Sequence, residues 1–320
     1  MSPTVSAIIA SYNYANYLPL AIESCLEQTF RDLEVVVVDD GSLDHTPQVM
    51  EQYRGEPRVR YIRTSNAGQP AAENLGILLA QGRFIAFLDA DDIWLPHKIK
   101  QQMEQFQRTP AAGVVYARRR LIDPQGRELK MPARPCYRGY IAEQMFRDNF
   151  ICFSSSMVRR EVFESVGFFN EEYRHASDYD FWLRVATCWS FEFVDEPLVF
   201  YRKGHPNLTS NGDKQMRTAL LIMERFAALH PGVVSPDVRK RSFAETYCSL
   251  ALANRDRCFR SAWSNYLQAL RHGPLRFSTW RGLATLPIPE RVRRLLRRAL
   301  SRPVDWRTLQ PLAVGSNERS

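Results

Sequence analysis

The chain has 320 residues, of which 45% are hydrophobic and 24% charged, and its formal net charge is +8. This balance excludes a disordered or collagen-like chain, and the length allows one large domain or a main domain with a smaller partner. No apolar run approaches the ~20 residues that cross a bilayer, and no signal-peptide pattern is present. We therefore expect a cytoplasmic protein whose six cysteines are reduced thiols.

Short strand-like runs alternate with helix-like stretches over the first hundred residues. Apolar and β-branched runs predict strands over residues 5–10, 34–38, 59–63 and 84–88. The spacing of apolar residues predicts helices over residues 18–29, 44–53 and 71–80. Such alternation is typical of an open, mostly parallel α/β sheet flanked by helices. The stretch 114–202 is less regular and rich in aromatic residues, and the segment from 213 onward predicts helices.

Polar residues directly follow three of the predicted strands. They are Ser11-Tyr12-Asn13, Asp39-Asp40-Gly41-Ser42 and Asp89-Ala90-Asp91-Asp92. Ligands of open α/β sheets bind beyond the carboxyl ends of the strands. We therefore expect these groups to meet at one edge of the sheet and to form a binding site there.

Asp89 and Asp91 form the strongest local signal at this edge. Because they are two residues apart in an extended segment, their side chains point to the same side. Two carboxylates so placed suit a divalent cation with oxygen ligands, Mn²⁺ or Mg²⁺, which keeps positions for phosphate oxygens. The alternative is that these aspartates cap a helix beginning near Trp94, with Asp92 the best candidate. Since not all of them can be caps, we predict a metal or nucleotide site.

Three other residues near this edge each have two interpretations. Asp40 precedes Gly41 and Ser42 and is either a turn residue or a ligand contact. Tyr12 either stacks on a base or is a surface aromatic in a turn. Asn66, in the loop after the third predicted strand, has the same two interpretations as Asp40.

Taken together, these stretches strongly resemble the family 2 glycosyltransferases, enzymes with the GT-A fold. The matching sequences are VSAIIASYN at 5–13, SCLEQTF at 24–30, VDDGS at 38–42, NAG at 66–68, FLDADD at 87–92, DYDFWLR at 178–184 and YR at 201–202. The ordered combination is far more specific than any one stretch. The resemblance implies a Rossmann-like, mostly parallel GT-A sheet flanked by helices over residues 1–212, with a helical C-terminal region over 213–320.

The resemblance also implies the reaction and its participants. A sugar would pass from a nucleoside-diphosphate sugar, with a UDP-sugar favoured, to an acceptor hydroxyl with inversion at the anomeric carbon. The acceptor would be a saccharide or a lipid-linked saccharide, in the synthesis of a cell-surface polysaccharide or glycolipid. The implied cofactor is Mn²⁺ or Mg²⁺, which stabilises the charge on the departing diphosphate.

The family pattern gives most candidate residues a role. The residues implied to bind the nucleotide are Ala10 and Tyr12 at the base, Asp40 at the edge of a uracil-type ring, Asn66 in the loop nearby, and Asp89 at the ribose. Asp91 is implied to hold the metal on the diphosphate. His205 follows the YR motif, where some relatives bring a further group to the diphosphate or metal. The alternative for His205 is a histidine that is simply exposed in a polar loop.

Asp178 is implied to be the general base that takes the proton from the attacking hydroxyl. The alternative is helix initiation, because Ser177 and Asp180 have the spacing of a capping box. A helix N-terminus lowers the pKa of a carboxylate, so we expect Asp178 to be a weak base that acts late in the reaction. Asp180 is interpreted as structural.

Three positions depart from the family pattern. Ala10 replaces a common proline, Glu73 stands where many relatives have arginine, and Ser177 replaces an acidic residue that often precedes the base. These departures bear on the contacts to the donor more than on the class of reaction.

The C-terminal sequence RVRRLLRRAL at 291–300 places apolar residues on one helical face beside five arginines. Bounding prolines complete the pattern, which predicts a basic amphipathic helix near 290–301 followed by a flexible tail. The helix either lies on an anionic membrane surface or docks its apolar face on the protein. The first option predicts peripheral contact with the inner face of a membrane.

Other classes of protein fit the sequence less well. A sugar nucleotidyltransferase would carry a glycine-rich, lysine-containing loop after the first strand, and Ser11-Tyr12-Asn13-Tyr14 has neither residue. An inactive nucleotide-sugar-binding or scaffolding protein has no need of the carboxylates Asp89, Asp91 and Asp178. Nucleic-acid binding is not expected, because the basic segment has few interleaved aromatic residues.

Overall fold

The computed structural model of the chain describes residues 2–132, 134–205, 212–274 and 277–286. These residues form two compact units, the first ending at Thr246 and the second beginning at Tyr247. The basic amphipathic helix predicted near 290–301 and the tail after it lie outside the described residues. The proposed boundary between residues 212 and 213 stays a prediction, while the described residues after it form helices as expected.

The described residues contain strands and helices in alternation. The strands are β1 (Val5–Ser11), β2 (Leu33–Asp39), β3 (Val59–Arg63), β4 (Phe84–Phe87), β5 (Ile93–Trp94), β6 (Ala112–Ile122), β7 (Glu128–Leu129), β8 (Met157–Arg159) and β9 (Ser190–Arg202). The helices are α1 (Leu18–Leu26), α2 (Thr46–Glu51), α3 (Gln69–Leu79), α4 (Lys98–Arg108), α5 (Ala142–Arg147), α6 (Arg160–Val166), α7 (Ser177–Val185), α8 (Gly212–Leu229), α9 (Pro236–Asn254), α10 (Phe259–His272) and α11 (Phe277–Ala284). None of the helices within the described ranges is long and apolar enough to cross a bilayer.

The sheet has the strand order β3-β2-β1-β4-β8-β6-β9-β5, and β7 pairs with β6. β1 to β4 run parallel to one another, as do β6 and β9, whereas β8 is antiparallel to both β4 and β6. Ser11 pairs in register with Asp39, which puts the carboxyl ends of β1 and β2 at one edge. The predicted α/β class with a mostly parallel central sheet is confirmed.

Burial on both faces explains why β2 is a continuous run of valines. Val35 and Val37 belong to the apolar cluster that includes Ile22 of α1. Val36 and Val38 point to the opposite face and form a cluster with Ala72 of α3. Alternate side chains of a strand point to opposite faces, so a strand between two helical layers needs apolar residues at every position.

The suggestion that Asp92 caps a helix near Trp94 is wrong. Ile93–Trp94 forms β5, which pairs with β9 through Phe200 and Val199, and α4 begins only at Lys98. The indole Nε1 of Trp94 donates to the carbonyl oxygen of Ser154 at 2.7 Å. Tertiary contacts to a distant strand therefore decide the conformation of this segment.

The stretch that the sequence predicts to be irregular contains the two longest strands. β6 has 11 residues and β9 has 13. They pair in parallel with register shifts near Ala117 and Arg118. Local sequence shows no simple alternation here, because the pairing is interrupted and each strand is buried unevenly along its length.

The second unit is built around the contact of α10 with α11. Its core contains Cys248, Ala251, Ala262, Tyr266, Ala269 and Leu286. Gly282 lies so close to Tyr266 that a Cβ added to it would be 2.5 Å from the ring. A larger residue at Gly282 would push the two helices apart.

Candidate active site at the carboxyl edge of the sheet

The eight residues predicted from the sequence line one cavity of about 860 Å³. They are Ala10, Tyr12, Asp40, Asn66, Asp89, Asp91, Asp178 and His205. The first six follow or end strands of the parallel part of the sheet, Asp178 lies in the first turn of α7, and His205 follows β9. The expectation that the strand-end groups meet at one edge is therefore confirmed, whereas the role of each residue stays a prediction.

The turns after β1 and β2 hold each other in place. Asn13 has a left-handed backbone (φ 61°), and its Oδ1 accepts a hydrogen bond from the amide of Leu43 at 2.7 Å. The amide of Asn13 donates to Ser42 Oγ at 2.9 Å, and the amide of Ser42 donates to Asp39 Oδ1 at 2.8 Å. This interlocked pair of turns positions the partly exposed ring of Tyr12 beside the cavity.

The two neighbouring aspartates after β2 have different surroundings. Asp39 is fully buried and also accepts a hydrogen bond from Tyr61, so it links strands. Asp40 accepts from the amides of Ala67 and Gly68 at 2.7 and 2.9 Å. Asp40 thus fixes the loop that begins α3 and also lines the cavity. The turn interpretation and the ligand interpretation are therefore compatible, because each carboxylate oxygen keeps a further lone pair for a ligand.

Asn66 is held by the same turn. Its Nδ2 donates to the carbonyl oxygen of Asp40 at 2.9 Å. Gly41 has φ 74°, and a Cβ there would lie 2.8 Å from the amide nitrogen of Asn66. Glycine at this position is therefore required both by the backbone angle and by the close approach of the Asn66 loop.

The segment after β4 concentrates negative charge. Oxygens of Asp89, Asp91 and Asp92 lie within 4.8 Å of one another. Burial, followed by the charge of Asp91, raises the pKa of Asp89 to about 7. Burial also raises the pKa of Asp91 and, together with the neighbouring carboxylates, the pKa of Asp92. Crowded hard oxygen donors that repel one another are the donor set that a divalent cation stabilises.

The three carboxylates differ in how many protein partners they have. Asp92 accepts from Ser154 Oγ at 2.5 Å and from the amide of Arg202 at 2.8 Å, so both of its oxygens are used internally. Among the described residues, no arginine or lysine forms an ion pair with any of the three carboxylates. Asp89 and Asp91 line the cavity, while Asp92 does not. The residues present therefore fit a cation bound at the Asp-Ala-Asp segment.

His205 is directed at this segment. Its Nε2 lies 2.9 Å from Asp91 Oδ2, and its side chain is only 8% exposed. The ring is 5.2 Å from that of Tyr17 and 6.0 Å from that of Tyr14, measured between centroids. The interpretation of His205 as an exposed loop histidine is therefore wrong, while contact with a metal stays a prediction.

Arg202 connects the end of β9 to the acidic segment. Its Nε donates to the carbonyl oxygen of Asp91 at 2.8 Å, and its guanidinium lies 4.7 Å from the ring centroid of Tyr17. The sequence contains Arg202 in the YR motif, but nothing local indicates this use. It positions the backbone that carries Asp91, whose side chain lines the cavity and contacts His205.

Asp178 enters the cavity from the first turn of α7. The residue before this turn, Ala176, has a left-handed backbone (φ 56°), which L-residues adopt only at some energetic cost. The side chain of Asp178 accepts a hydrogen bond from Asn149 Nδ2 at 2.8 Å. Burial raises the pKa of Asp178 despite this hydrogen bond, contrary to the lowering expected from a helix N-terminus. A raised pKa makes the carboxylate a stronger base.

The capping box predicted from Ser177 and Asp180 is not formed. Ala176 occupies the N-cap position and makes no side-chain cap hydrogen bond. Asp180 instead accepts from Arg184 Nε at 2.9 Å, one turn further along the helix. This ion pair agrees with the interpretation of Asp180 as structural.

Several cavity residues were not among the site residues predicted from the sequence. Gln69 Nε2 donates to Glu73 Oε1 at 2.7 Å and to Asp89 Oδ1 at 3.2 Å, so it bridges two carboxyl groups. Burial and the charge of Asp89 raise the pKa of Glu73 well above its usual value. Arg174 and His175 also line the cavity, just before Asp178. Only their nearness to Asp178 in the sequence could have suggested them.

A mostly parallel sheet with an Asp-Ala-Asp segment at its carboxyl edge is the architecture of the GT-A fold. Residues 6–167 match the family described as Glycosyl transferase family 2. The chain belongs to this family. The chondroitin synthase of Escherichia coli is 31% identical to it over 210 residues, which cover 65% of this chain and 30% of that protein.

Two solved structures share the fold. TarS 1–349 of S. aureus, in complex with UDP-GlcNAc, has a TM-score of 0.64 at 17% identity, covering 92% of each chain. The mannosyltransferase PcManGT of Pyrobaculum calidifontis, in complex with GDP-Man and Mn²⁺, has a TM-score of 0.60 at 19% identity, covering 93% of this chain and 84% of that one. At these identities the likeness shows the GT-A fold alone.

Proposed function

We propose that this glycosyltransferase transfers a sugar from a nucleoside-diphosphate sugar, most favourably a UDP-sugar, to a hydroxyl of a saccharide or lipid-linked saccharide. The observation that carries this proposal is the single cavity into which Asp40, Asp89, Asp91 and Asp178 all project. The similarity to a chondroitin synthase supports a role in the synthesis of a polysaccharide or glycolipid. Membership of the family favours this reaction over nucleotidyl transfer or scaffolding.

The donor would lie along the carboxyl edge of β1, β2 and β4. Ala10 and Tyr12 would border the base, with the carboxylate of Asp40 and the amide of Asn66 at its edge. Asp89 would accept hydrogen bonds from the ribose hydroxyls. This assignment is supported by the presence of all five residues in the lining of one cavity and by the nucleotide sugars bound to the two structural neighbours.

Asp91, with His205 beside it, would hold Mn²⁺ or Mg²⁺ against the diphosphate. The 2.9 Å separation of His205 Nε2 and Asp91 Oδ2 supports a joint role of these two groups at one ion. When bound, such an ion stabilises the negative charge that develops on the departing nucleoside diphosphate. The Mn²⁺ bound to PcManGT supports a metal of this kind. The rings of Tyr14 and Tyr17 pack against that of His205.

Asp178 would act on the acceptor. Its carboxylate takes the proton of the attacking hydroxyl, whose oxygen forms a bond to the anomeric carbon as the bond to the diphosphate oxygen breaks and that oxygen keeps the electron pair. A single displacement of this kind inverts the anomeric configuration. The hydrogen bond from Asn149 keeps the Asp178 carboxylate oriented, which is what a general base requires.

The test is incubation of the protein with a panel of nucleotide sugars, Mn²⁺ and saccharide acceptors, followed by nuclear magnetic resonance of the product. We expect one donor to be consumed, with formation of a glycoside of opposite anomeric configuration. A retained configuration would overturn the single displacement. Failure to bind any nucleoside diphosphate, measured by calorimetry with Mn²⁺, would overturn the donor proposal itself.

A further inference from the structure

The two units of the protein differ sharply in charge. Residues 1–246 contain 29 Lys and Arg against 31 Asp and Glu, whereas residues 247–320 contain 14 arginines against 4 acidic residues. In the described part of the second unit the charged side chains are five arginines and Asp256. A unit so basic, in a chain whose first unit is close to neutrality, is suited to an anionic partner of its own.

One face of α10 carries an exposed apolar stripe. Phe259, Trp263 and Leu267 are spaced four residues apart and are 51%, 39% and 42% exposed. The rings of Phe259 and Trp263 stack with centroids 6.0 Å apart. Ala262, Tyr266 and Ala269 occupy the buried side of the same helix. The stripe is therefore additional to the face that α10 uses to hold its own unit together.

Arginines lie among the residues of this stripe. Arg260 and Arg271 are exposed and, by helical spacing, lie on the side of α10 that carries Trp263 and Leu267. Among the described residues neither of them forms an ion pair with a carboxylate. Two further large side chains, Phe277 and Trp280 of α11, are also exposed.

We propose that the α10 stripe, defined as Phe259, Arg260, Trp263, Leu267 and Arg271, is a surface that binds an anionic lipid bilayer. Phe, Trp and Leu beside arginines are the composition of helices that lie in a membrane interface. The aromatic rings and Leu267 enter the boundary between head groups and acyl chains, and the guanidinium groups pair with lipid phosphates.

A lipid surface fits these side chains better than another polyanion does. The three apolar side chains of the stripe lie along one face of α10, so a bilayer can bury all of them together. A nucleic acid or an anionic polysaccharide would contact the arginines and stack on the rings, but it would leave Leu267 exposed to water. Leu267, the apolar residue without a ring, therefore favours a lipid surface as the partner.

The first experiment measures sedimentation of the full chain with vesicles of phosphatidylglycerol and phosphatidylcholine in equal parts, and with vesicles of phosphatidylcholine alone. We expect binding to the anionic vesicles only. The double variant Trp263→Ser/Leu267→Ser, and separately Arg260→Glu/Arg271→Glu, should bind about tenfold more weakly. The matched control is Leu43→Ser/Leu78→Ser, which removes two exposed leucines from the first unit and should bind as the wild type does.

A site-specific measurement separates the stripe from the rest of the basic C-terminal region. An environment-sensitive dye attached to Leu267→Cys, with the exposed Cys188 and Cys258 changed to serine, should shift to the blue on anionic vesicles. The same dye on Leu78→Cys should not shift. An unshifted dye at position 267 while the protein still sediments would overturn the proposal, because the contact then lies elsewhere.

Other occupants of the stripe would also overturn the proposal. If the wild type is a dimer that the Trp263→Ser/Leu267→Ser variant converts to a monomer, the stripe is covered by a second copy. If vesicle binding is equal with and without phosphatidylglycerol, the arginines have no part in it. None of these outcomes depends on donor binding or on transfer, so they are distinguishable from failure of the proposed reaction.

Discussion

Two of the segments that bring carboxylates to the cavity do so in opposite ways. The segment after β4 crowds three carboxylates within 4.8 Å of one another. The first turn of α7 contributes Asp178 alone, held by an amide of Asn149 at 2.8 Å. The crowded group is unfavourable unless a cation or protons neutralise it. The isolated carboxylate has an oriented oxygen and a raised pKa, which are the properties of a proton acceptor.

The comparison shows that the surroundings of a carboxylate, more than its identity, determine its chemistry. Asp92 belongs to the same four-residue segment as Asp89 and Asp91, yet Ser154 and Arg202 occupy both of its oxygens. Asp180 lies two residues from Asp178, yet it pairs with Arg184 outside the cavity. Each segment therefore contains its own internal control for experiments on function.

Substitution of Asp178 should have the largest effect on transfer. Asp178→Asn removes the proton acceptor and should lower the rate of transfer by roughly 10²–10⁴. Donor affinity and melting temperature should barely change, because asparagine can still accept the hydrogen bond from Asn149. Single-turnover transfer, nucleotide calorimetry and thermal unfolding on one preparation check this expectation.

The control for Asp178 is Asp180→Asn, which loses only the ion pair with Arg184 and should cost about 0.5 kcal/mol of stability. Its turnover per folded molecule should equal that of the wild type. Near-normal transfer by a stably folded Asp178→Asn protein would remove Asp178 from the mechanism.

Substitution of Asp91 should act on the donor instead. Asp91→Asn should lower nucleoside-diphosphate affinity in Mn²⁺ to the value that the wild type shows in a chelator, and should slow transfer by about 10²–10³. Calorimetry of UDP with and without Mn²⁺ measures the first effect. Asp195→Asn, which removes an equal charge from an exposed position on β9, should leave both quantities unchanged. Metal-independent UDP binding in the wild type would contradict the assignment of the cation site.

Substitution of Asn149 should change the pH dependence of the transfer rate more than the maximal rate itself. The amide stabilises the charged form of Asp178, so Asn149→Ala should raise its pKa further. Transfer needs the ionised form, so the rate that is lost on acidification should be lost about one pH unit higher. The charge of Asp178 in turn raises the pKa of Glu73 and of Asp89, and both residues are unchanged in this variant. A pH profile identical to that of the wild type would limit Asn149 to a structural role.

Substitution of Ser154 should have the smallest effect on chemistry and a measurable one on stability. Its hydroxyl donates to Asp92 at 2.5 Å and lies 3.2 Å from Asp89 Oδ2. Ser154→Ala leaves a buried carboxylate oxygen without its donor and should lower the free energy of unfolding by about 1–3 kcal/mol. Urea unfolding measures this loss. Ser156→Ala, which loses only a bond to the carbonyl of Phe153, should cost less. Equal losses for both variants would mean that the acidic segment does not depend on Ser154.

The sequence by itself determined the parallel strands and the chemistry at their ends. β1, β2 and β4 were predictable because strands buried on both faces need apolar runs, and a run such as Val35–Val38 is visible without knowledge of its neighbours. Asp89, Asp91 and Asp40 were predictable because polar residues that follow such strands meet at one edge. These are local patterns, and each can be recognised within a few residues.

Only the tertiary structure decided the rest. Ile93–Trp94 became a strand because β9, a hundred residues later, pairs with it. Asn149 and Gln69 became part of the site because chain segments that are distant in sequence bring their amides to Asp178 and Asp89. The direction of the shift in the Asp178 pKa was set by burial, which depends on what surrounds the helix and not on the helix itself. No local pattern encodes these contacts, because each depends on a partner that the local sequence does not contain.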